Sequence, residues 1–144
     1  MTSDGISSED WERVHELALD IVNAPDSDDR KAYDELIAYL DQLRIKYGER
    51  ASLLATQADY VDDPREAERL LLKAFDIAIA QGDVPNVREI SLSLADLYAN
   101  DLKDVVAASR WLEISAAHIE DRDEMSRAEY QHIQEMIERL KHSS

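Results

Sequence analysis

Two Glu-x-x-His spacings are the pattern in this sequence that comes closest to metal or catalytic chemistry. Glu12 and His15 form the first pair, and Glu129 and His132 form the second. Residues three apart lie on one face of a helix, so each pair would present a carboxylate beside an imidazole. Two such helices hold di-iron or di-manganese centres when each of two further helices adds a Glu.

The remaining parts of such a centre are not evident in the sequence. No inward-facing Glu pair completes the ligand set, and short Glu-His spacings arise easily in a chain this rich in Glu. The three glycines are isolated, so they form no phosphate-binding loop, and there is no cysteine to act as a nucleophile. We therefore predict no enzymatic activity, no cofactor and no metal, and keep a metal-binding helical bundle as the third of three hypotheses.

The charge balance narrows the class of partner. The chain has 32 Asp and Glu against 16 Lys and Arg, a formal net charge of −16. Binding to nucleic acid or to an anionic membrane depends on Lys and Arg, so we predict neither. A basic protein partner is favoured, because complementary charge raises the rate of encounter. The alternative, that the acidity only keeps the protein soluble, remains open.

Length and composition also give an expected location. A chain of 144 residues is typical of one domain. The N-terminal residues lack the basic and apolar regions of a signal peptide. No apolar run approaches the ~20 residues that cross a bilayer. With no cysteine, disulfides are excluded and a reducing compartment is natural. We predict a cytoplasmic protein.

Apolar periodicity and helix-ending residues predict an all-α chain. Asp63 and Pro64 have the order expected at a helix start, and Gly82 follows the last apolar residue of that helix. Gly48 likewise marks a helix end. The predicted helices span 8–23, 28–47, 50–61, 64–81, 85–100, 104–120 and 124–141.

An internal repeat appears when the sequence is compared with itself at a constant shift of 40 positions, the separation of Leu54 and Leu94. The first copy consists of Leu54, Ala55, Ala58, Ala67, Leu71 and Ala74. The matching residues of the second copy are Leu94, Ala95, Tyr98, Ala107, Trp111 and Ile114. Small residues at these positions let two helices approach closely, and large ones fill the groove of the next pair.

This pattern resembles the tetratricopeptide repeat (TPR), although the shift exceeds the usual period of about 34. The resemblance implies about seven antiparallel helices in TPR-like hairpins, forming a short right-handed solenoid. Within this single domain, residues 8–47 would be a divergent first pair, 48–120 two repeats and 124–141 a capping helix. An irregular helical bundle is the alternative.

The resemblance also implies where a partner would bind. In such arrays the ligand usually lies on the concave face, which the first helix of each pair lines. Carried over by position, this face comprises Glu49, Ser52, Thr56, Asp59, Tyr60, Glu89, Leu92, Asp96 and Asn100. Its carboxylates would suit a partner rich in Lys and Arg, although solvated polar helix faces are the more common reading of such charges.

Large aromatic residues are further candidates for partner contacts. Trp11 and Trp111 lie on apolar helical stripes, so we predict that they belong to the core. Tyr39 and Tyr60 fall off the main stripes and are predicted to be exposed contact residues.

In character the chain is similar to bacterial immunity proteins of polymorphic or Rhs-type toxin systems, which are small, acidic, helical and cytoplasmic. This similarity implies that the chain binds and neutralises a basic toxin domain. A general TPR-like adaptor or chaperone, binding peptides or several partners, is the alternative. No residue separates the two functions.

Overall fold

The computed structural model describes residues 2–23, 30–118 and 124–142, and every regular element within these ranges is helical. The predicted all-α class is therefore confirmed. The described residues form seven α-helices and one π-helical turn, in this order: α1 (Ser8–Asn23), α2 (Lys31–Tyr47), α3 (Ala51–Ala58), α4 (Pro64–Gln81), α5 (Val84–Asp96), the π turn (Leu97–Asp101), α6 (Val105–Ala116) and α7 (Glu124–His142).

Local capping explains why α1 and α4 have the predicted bounds. The Ser7 hydroxyl accepts a hydrogen bond from a backbone N–H in the first turn of α1 at 3.1 Å. At the start of α4, the Asp63 carboxylate accepts from the Arg65 N–H at 3.0 Å, and Pro64 occupies the first turn. Gly82 ends α4 with a left-handed φ of 64°, which glycine adopts without steric cost.

The other helices differ from the predicted bounds by a few residues. α3 ends at Ala58 instead of residue 61, and the predicted last turn of α5 is the π turn. α2 begins at Lys31, after Arg30 in a turn. α6 ends at Ala116, earlier than predicted, and residues 117 and 118 form a turn. Residues 28 and 120 themselves lie outside the described residues.

A left-handed residue closes the π turn. Lys103 has a φ of 55°, and the Asp104 N–H beyond it donates to the Tyr98 carbonyl at 2.8 Å. This bond resembles the one that ends many helices with glycine in the left-handed position. The Asp104 carboxylate then accepts from the Ala107 N–H at 3.1 Å and caps α6.

The apolar interior consists of two clusters that meet at α3. Leu54 belongs to the larger core, which collects buried residues of α3 to α7. The preceding residue, Leu53, belongs to the smaller core, together with residues of α1 and α2. Consecutive residues of a helix point in different directions, so α3 contributes to both cores and joins the first two helices to the rest.

The N-terminal segment, residues 2–7, strengthens this junction. The buried Asp4 carboxylate accepts hydrogen bonds from the N–H and the hydroxyl of Ser52, both at 2.8 Å, and from the Thr2 hydroxyl at 2.6 Å. Arg50, at the cap position of α3, makes no side-chain cap. Asp4 therefore supplies an anionic acceptor at the start of α3 from a distant part of the sequence. Ile6 is fully buried in the smaller core.

Of the predictions for four aromatic residues, the two for Trp agree with the structure and the two for Tyr do not. Trp11 and Trp111 are partly buried and pack against the smaller and larger cores respectively. Tyr39 and Tyr60 also pack against the smaller core, which corrects the expectation that they are exposed. The Tyr39 hydroxyl is engaged within the molecule, since it donates to Asp10 at 3.2 Å.

Candidate functional site

Four carboxylates line one cavity of about 270 Å³ beside α3 and α5. They are Asp59, Asp62, Asp96 and Asp101. The capping position that ends α3 holds Asp59, and the last residue of α5 is Asp96. We call this space the acidic cavity; its other lining residues are Ser93 and six mainly apolar residues, Ala58, Val61, Pro64, Ala67, Leu71 and Leu97.

Two of these carboxylates have raised pKa values. Loss of hydration raises the pKa of Asp59 to about 6, and the negative charge of Asp96 adds to the rise. Burial also raises the pKa of Asp96, with a further contribution from Asp101, while His132 acts in the opposite direction. By surface area Asp59 and Asp96 are exposed. A concave wall nevertheless reduces the hydration of a carboxylate without covering it, and this explains both observations.

The carboxylates differ in whether a cation neutralises them. Among the described residues, no hydrogen bond or ion pair engages the carboxylates of Asp59, Asp96 and Asp101. Asp62 contacts Arg30 at 3.3 Å, an exposed pair of little energetic weight. The cavity therefore concentrates negative charge that is only partly compensated within the molecule, which is the electrostatic condition for attracting a cationic group.

A second cavity, of about 440 Å³, adjoins the first between α5 and α7. We call it the apolar cavity; it is lined by Leu92, Ser93, Asp96, Ala128, His132 and Ile133. Ser93 and Asp96 belong to both cavities. The two cavities are therefore adjacent, and we call them together the groove: four carboxylates line the acidic cavity, and Leu92, Ala128 and Ile133 form the apolar wall of the other.

The structure brings three of the nine predicted face residues into the groove. Asp59 and Asp96 line the acidic cavity, and Leu92 lies almost fully buried in the wall of the apolar cavity. Sequence reasoning missed Asp62, Asp101 and Ser93 as members of this site, and it considered His132 only as a metal ligand.

The other predicted face residues are placed elsewhere. Glu49 is neutralised by Arg44 at 2.6 Å and Lys73 at 2.7 Å. Ser52 is buried and bonded to Asp4, so its side chain is not accessible to a partner, which corrects that prediction. The last four line neither cavity: Thr56, Tyr60, Glu89 and Asn100.

The two Glu-x-x-His motifs lie on different helices, α1 and α7, and at different surface pockets. Glu12 and His15 line a shallow pocket with Trp11, whereas His132 lines the groove. α1 and α7 share no contact among the described residues, and the side chain of Glu129 lies outside them. Within the described part of the chain, no three His, Asp or Glu side chains are grouped as metal ligands.

The comparisons with known proteins give no relative. No family model matches the chain, and the searches of curated proteins and of solved structures returned no significant match. In the described ranges, no helix combines the length and apolar character needed to cross a membrane.

Proposed function

We propose that this chain is a non-enzymatic binding protein that neutralises a basic protein partner, as a cytoplasmic immunity protein neutralises a toxin domain. The observation that carries the proposal is the groove, where Asp59 and Asp96 from two different helices share one cavity without an internal cation. A toxin domain that acts on nucleic acid often has a basic cleft, and an acidic surface placed over it would block that cleft.

The order of helix contacts supports a TPR-like solenoid as the frame of this surface. Each helix from α3 to α7 contacts the next, and α3 also contacts α5, which in turn contacts α7. This succession is expected when the first helices of stacked pairs line one face. Tyr98, an aromatic residue of the second repeat, is buried and its hydroxyl donates to Glu68 of α4, which links the two pairs.

The overall charge supports a basic partner beyond the groove itself. A net charge of −16 on 144 residues creates a negative field that accelerates the approach of a cationic protein. For neutralisation of a toxin we expect an interface of about 1,600 Å² or more, much larger than the groove. The groove would then be the centre of the interface, and the surrounding carboxylates its rim.

The proposal is tested by capture followed by neutralisation. The full chain is used as bait in lysate of its native cells, and the proteins still bound after a wash at ~0.5 M salt, which screens exposed charge pairs, are identified. Each candidate is then expressed alone and with this chain. We expect one basic protein that arrests growth alone and is harmless in the presence of the chain. If every retained protein is harmless by itself, the immunity function is wrong.

A peptide-binding adaptor is the second candidate, because the groove has the size of a peptide site. Cavities of about 270 and 440 Å³ hold a few side chains. An adaptor would bind isolated short peptides from several proteins, whereas an immunity protein would bind one folded domain. Competition between a short peptide and a folded partner separates the two functions.

A further inference from the structure

We propose that the groove binds a short partner segment that carries an Arg and a neighbouring apolar residue, the Arg in the acidic cavity and the apolar side chain in the apolar cavity. This inference rests on the proposed function, since it names the chemistry by which the same site recognises its partner. It adds a specificity that net charge alone would not give.

The acidic cavity fits one long cationic side chain. Its volume of about 270 Å³ and its apolar wall, which includes Leu71 and Leu97, suit the methylene groups of such a side chain. Asp59 and Asp96 offer carboxylates from two helices, without a cation between them among the described residues. The planar guanidinium of Arg has donors on separate edges and can bridge two carboxylates, whereas a Lys ammonium is a single point of charge.

The apolar cavity is the place where the apolar side chain of the partner segment would bind. Leu92 and Ile133, from α5 and α7, are both almost fully buried and form its apolar wall with Ala128. Because Ser93 and Asp96 border both cavities, a segment whose Arg meets Asp96 has its next side chains at the apolar cavity. Burying an aliphatic side chain there removes apolar surface from water, which favours binding.

The carboxylates of the acidic cavity are the reason to expect a segment of a basic protein rather than a lipid or a small apolar ligand. An anionic headgroup would be repelled by the carboxylates. An uncharged apolar ligand would fill the apolar cavity and leave Asp59 and Asp96 unpaired. Only a ligand with both groups uses the whole groove.

The test is a nuclear magnetic resonance titration of the full, ¹⁵N-labelled chain with synthetic peptides. The peptides contain one Arg and one Leu in a Gly-Ser background, separated by none, one, two or three residues. We expect saturable shifts at the amides of Asp59, Ser93, Asp96 and His132 with at least one spacing. Replacing the Arg by Gln, or the Leu by Ser, should weaken binding at least about tenfold.

Two protein variants test whether the peptide binds in the groove. Asp96→Asn should weaken the best peptide about tenfold or more, because one charge-assisted hydrogen bond is lost. The matched control, Asp76→Asn, changes an exposed carboxylate of α4 that lines neither cavity and should leave affinity unchanged. Shifts scattered over the acidic surface, or equal affinity for the peptide that lacks Leu, would overturn the inference.

The two proposals fail in different ways. If a toxic partner is captured and neutralised but no peptide binds the groove, this inference is wrong and the immunity function stands. If the peptides bind with the expected specificity but no captured protein is toxic, the groove chemistry stands and the adaptor function replaces the immunity function.

Discussion

Asp59 at the end of α3 and Asp96 at the end of α5 line the same cavity, although they are 37 positions apart in the sequence. Their proximity is energetically unfavourable at neutral pH, because each negative charge opposes the ionisation of the other. Among the described residues no ion pair offsets it, and His132 only partly counters the rise in the pKa of Asp96. A partner that places a positive charge between the two carboxylates would relieve this repulsion.

The first prediction concerns how the stability of the fold depends on pH, because the raised pKa of Asp59 determines the direction of that dependence. A carboxyl with a pKa of about 6 when folded and near 4 when unfolded binds its proton more tightly in the folded state. Its contribution to stability is therefore present below pH 4 and lost as the pH rises through 6. Asp59→Asn should raise the free energy of unfolding at pH 7.5 by about 1 kcal/mol or less, since solvent screens this exposed group.

Urea denaturation at pH 4 and at pH 7.5 checks this prediction. The gain from Asp59→Asn should disappear at the lower pH, where the wild-type carboxyl is itself protonated. Asp76→Asn, for which we expect no such difference, is the control. An equal effect of Asp59→Asn at both pH values would show that the charge of Asp59 is not the cause.

The second prediction concerns binding and pH. The groups that face the groove are Asp59 beside α3, Asp62 before α4, Asp96 of α5, Asp101 of the π turn and His132 of α7. A cationic ligand favours ionised carboxylates, so binding below pH 6 requires loss of the proton on Asp59. Affinity should fall by up to about tenfold between pH 7 and pH 5. The affinity of the Asp59→Asn variant should depend less on pH.

Calorimetry in two buffers with different ionisation enthalpies measures the proton released on binding at pH 6. Wild-type protein should release a fraction of a proton, and Asp59→Asn less. Proton uptake on binding has the opposite sign and would contradict the assignment to Asp59.

The third prediction concerns the N-terminal segment. Asp4→Ala leaves the Ser52 hydroxyl and N–H without their acceptor inside the fold. We expect a loss of about 2–3 kcal/mol in the free energy of unfolding, typical of removing a charged acceptor from buried donors. Chemical denaturation measures it, with Glu12→Ala on the exposed face of α1 expected to change stability by less than ~0.5 kcal/mol. A similar small effect for Asp4→Ala would contradict the capping role.

The fourth prediction concerns Lys103. Its φ of 55° lies in the left-handed region, which costs a residue with a side chain about 1 kcal/mol more than glycine. Lys103→Gly should therefore increase stability, by roughly 0.5 kcal/mol after the greater freedom of glycine in the unfolded chain is deducted. Lys103→Ala, which keeps the strain and removes the charge, is the control. A loss of stability in the Gly variant would show that the side chain of Lys103 contributes more than its backbone costs.

Local sequence signals were sufficient for the elements whose ends they control. Asp63 and Gly82 define α4 through capping, a property of neighbouring residues, and the prediction needed no tertiary information. The repeat register predicted Asp59 and Asp96 on one face, and the structure has both of them lining one cavity; the repeat itself stays a prediction.

Tertiary contacts account for what the sequence did not reveal. Ser52 was assigned to the partner surface because its repeat position faces outward, but Asp4 reaches it from the N-terminal segment. Asp101 was missed because the π turn rotates the residues after Asp96 away from α-helical periodicity. His132 reaches the groove through the packing of α7 against α5, which no local pattern encodes.

The most direct test of the account measures the affinity of the captured basic partner for two charge-reversed variants at 0.15 M salt. Asp59→Lys combined with Asp96→Lys alters the groove, whereas Asp20→Lys combined with Asp76→Lys makes the same change in net charge on exposed positions of α1 and α4. We predict that the groove variant loses affinity for the partner by at least about a hundredfold, because roughly two charged contacts are disrupted. The control variant should lose less than about threefold. Equal losses in two folded variants would contradict the central claim, because net charge rather than the groove would then determine binding.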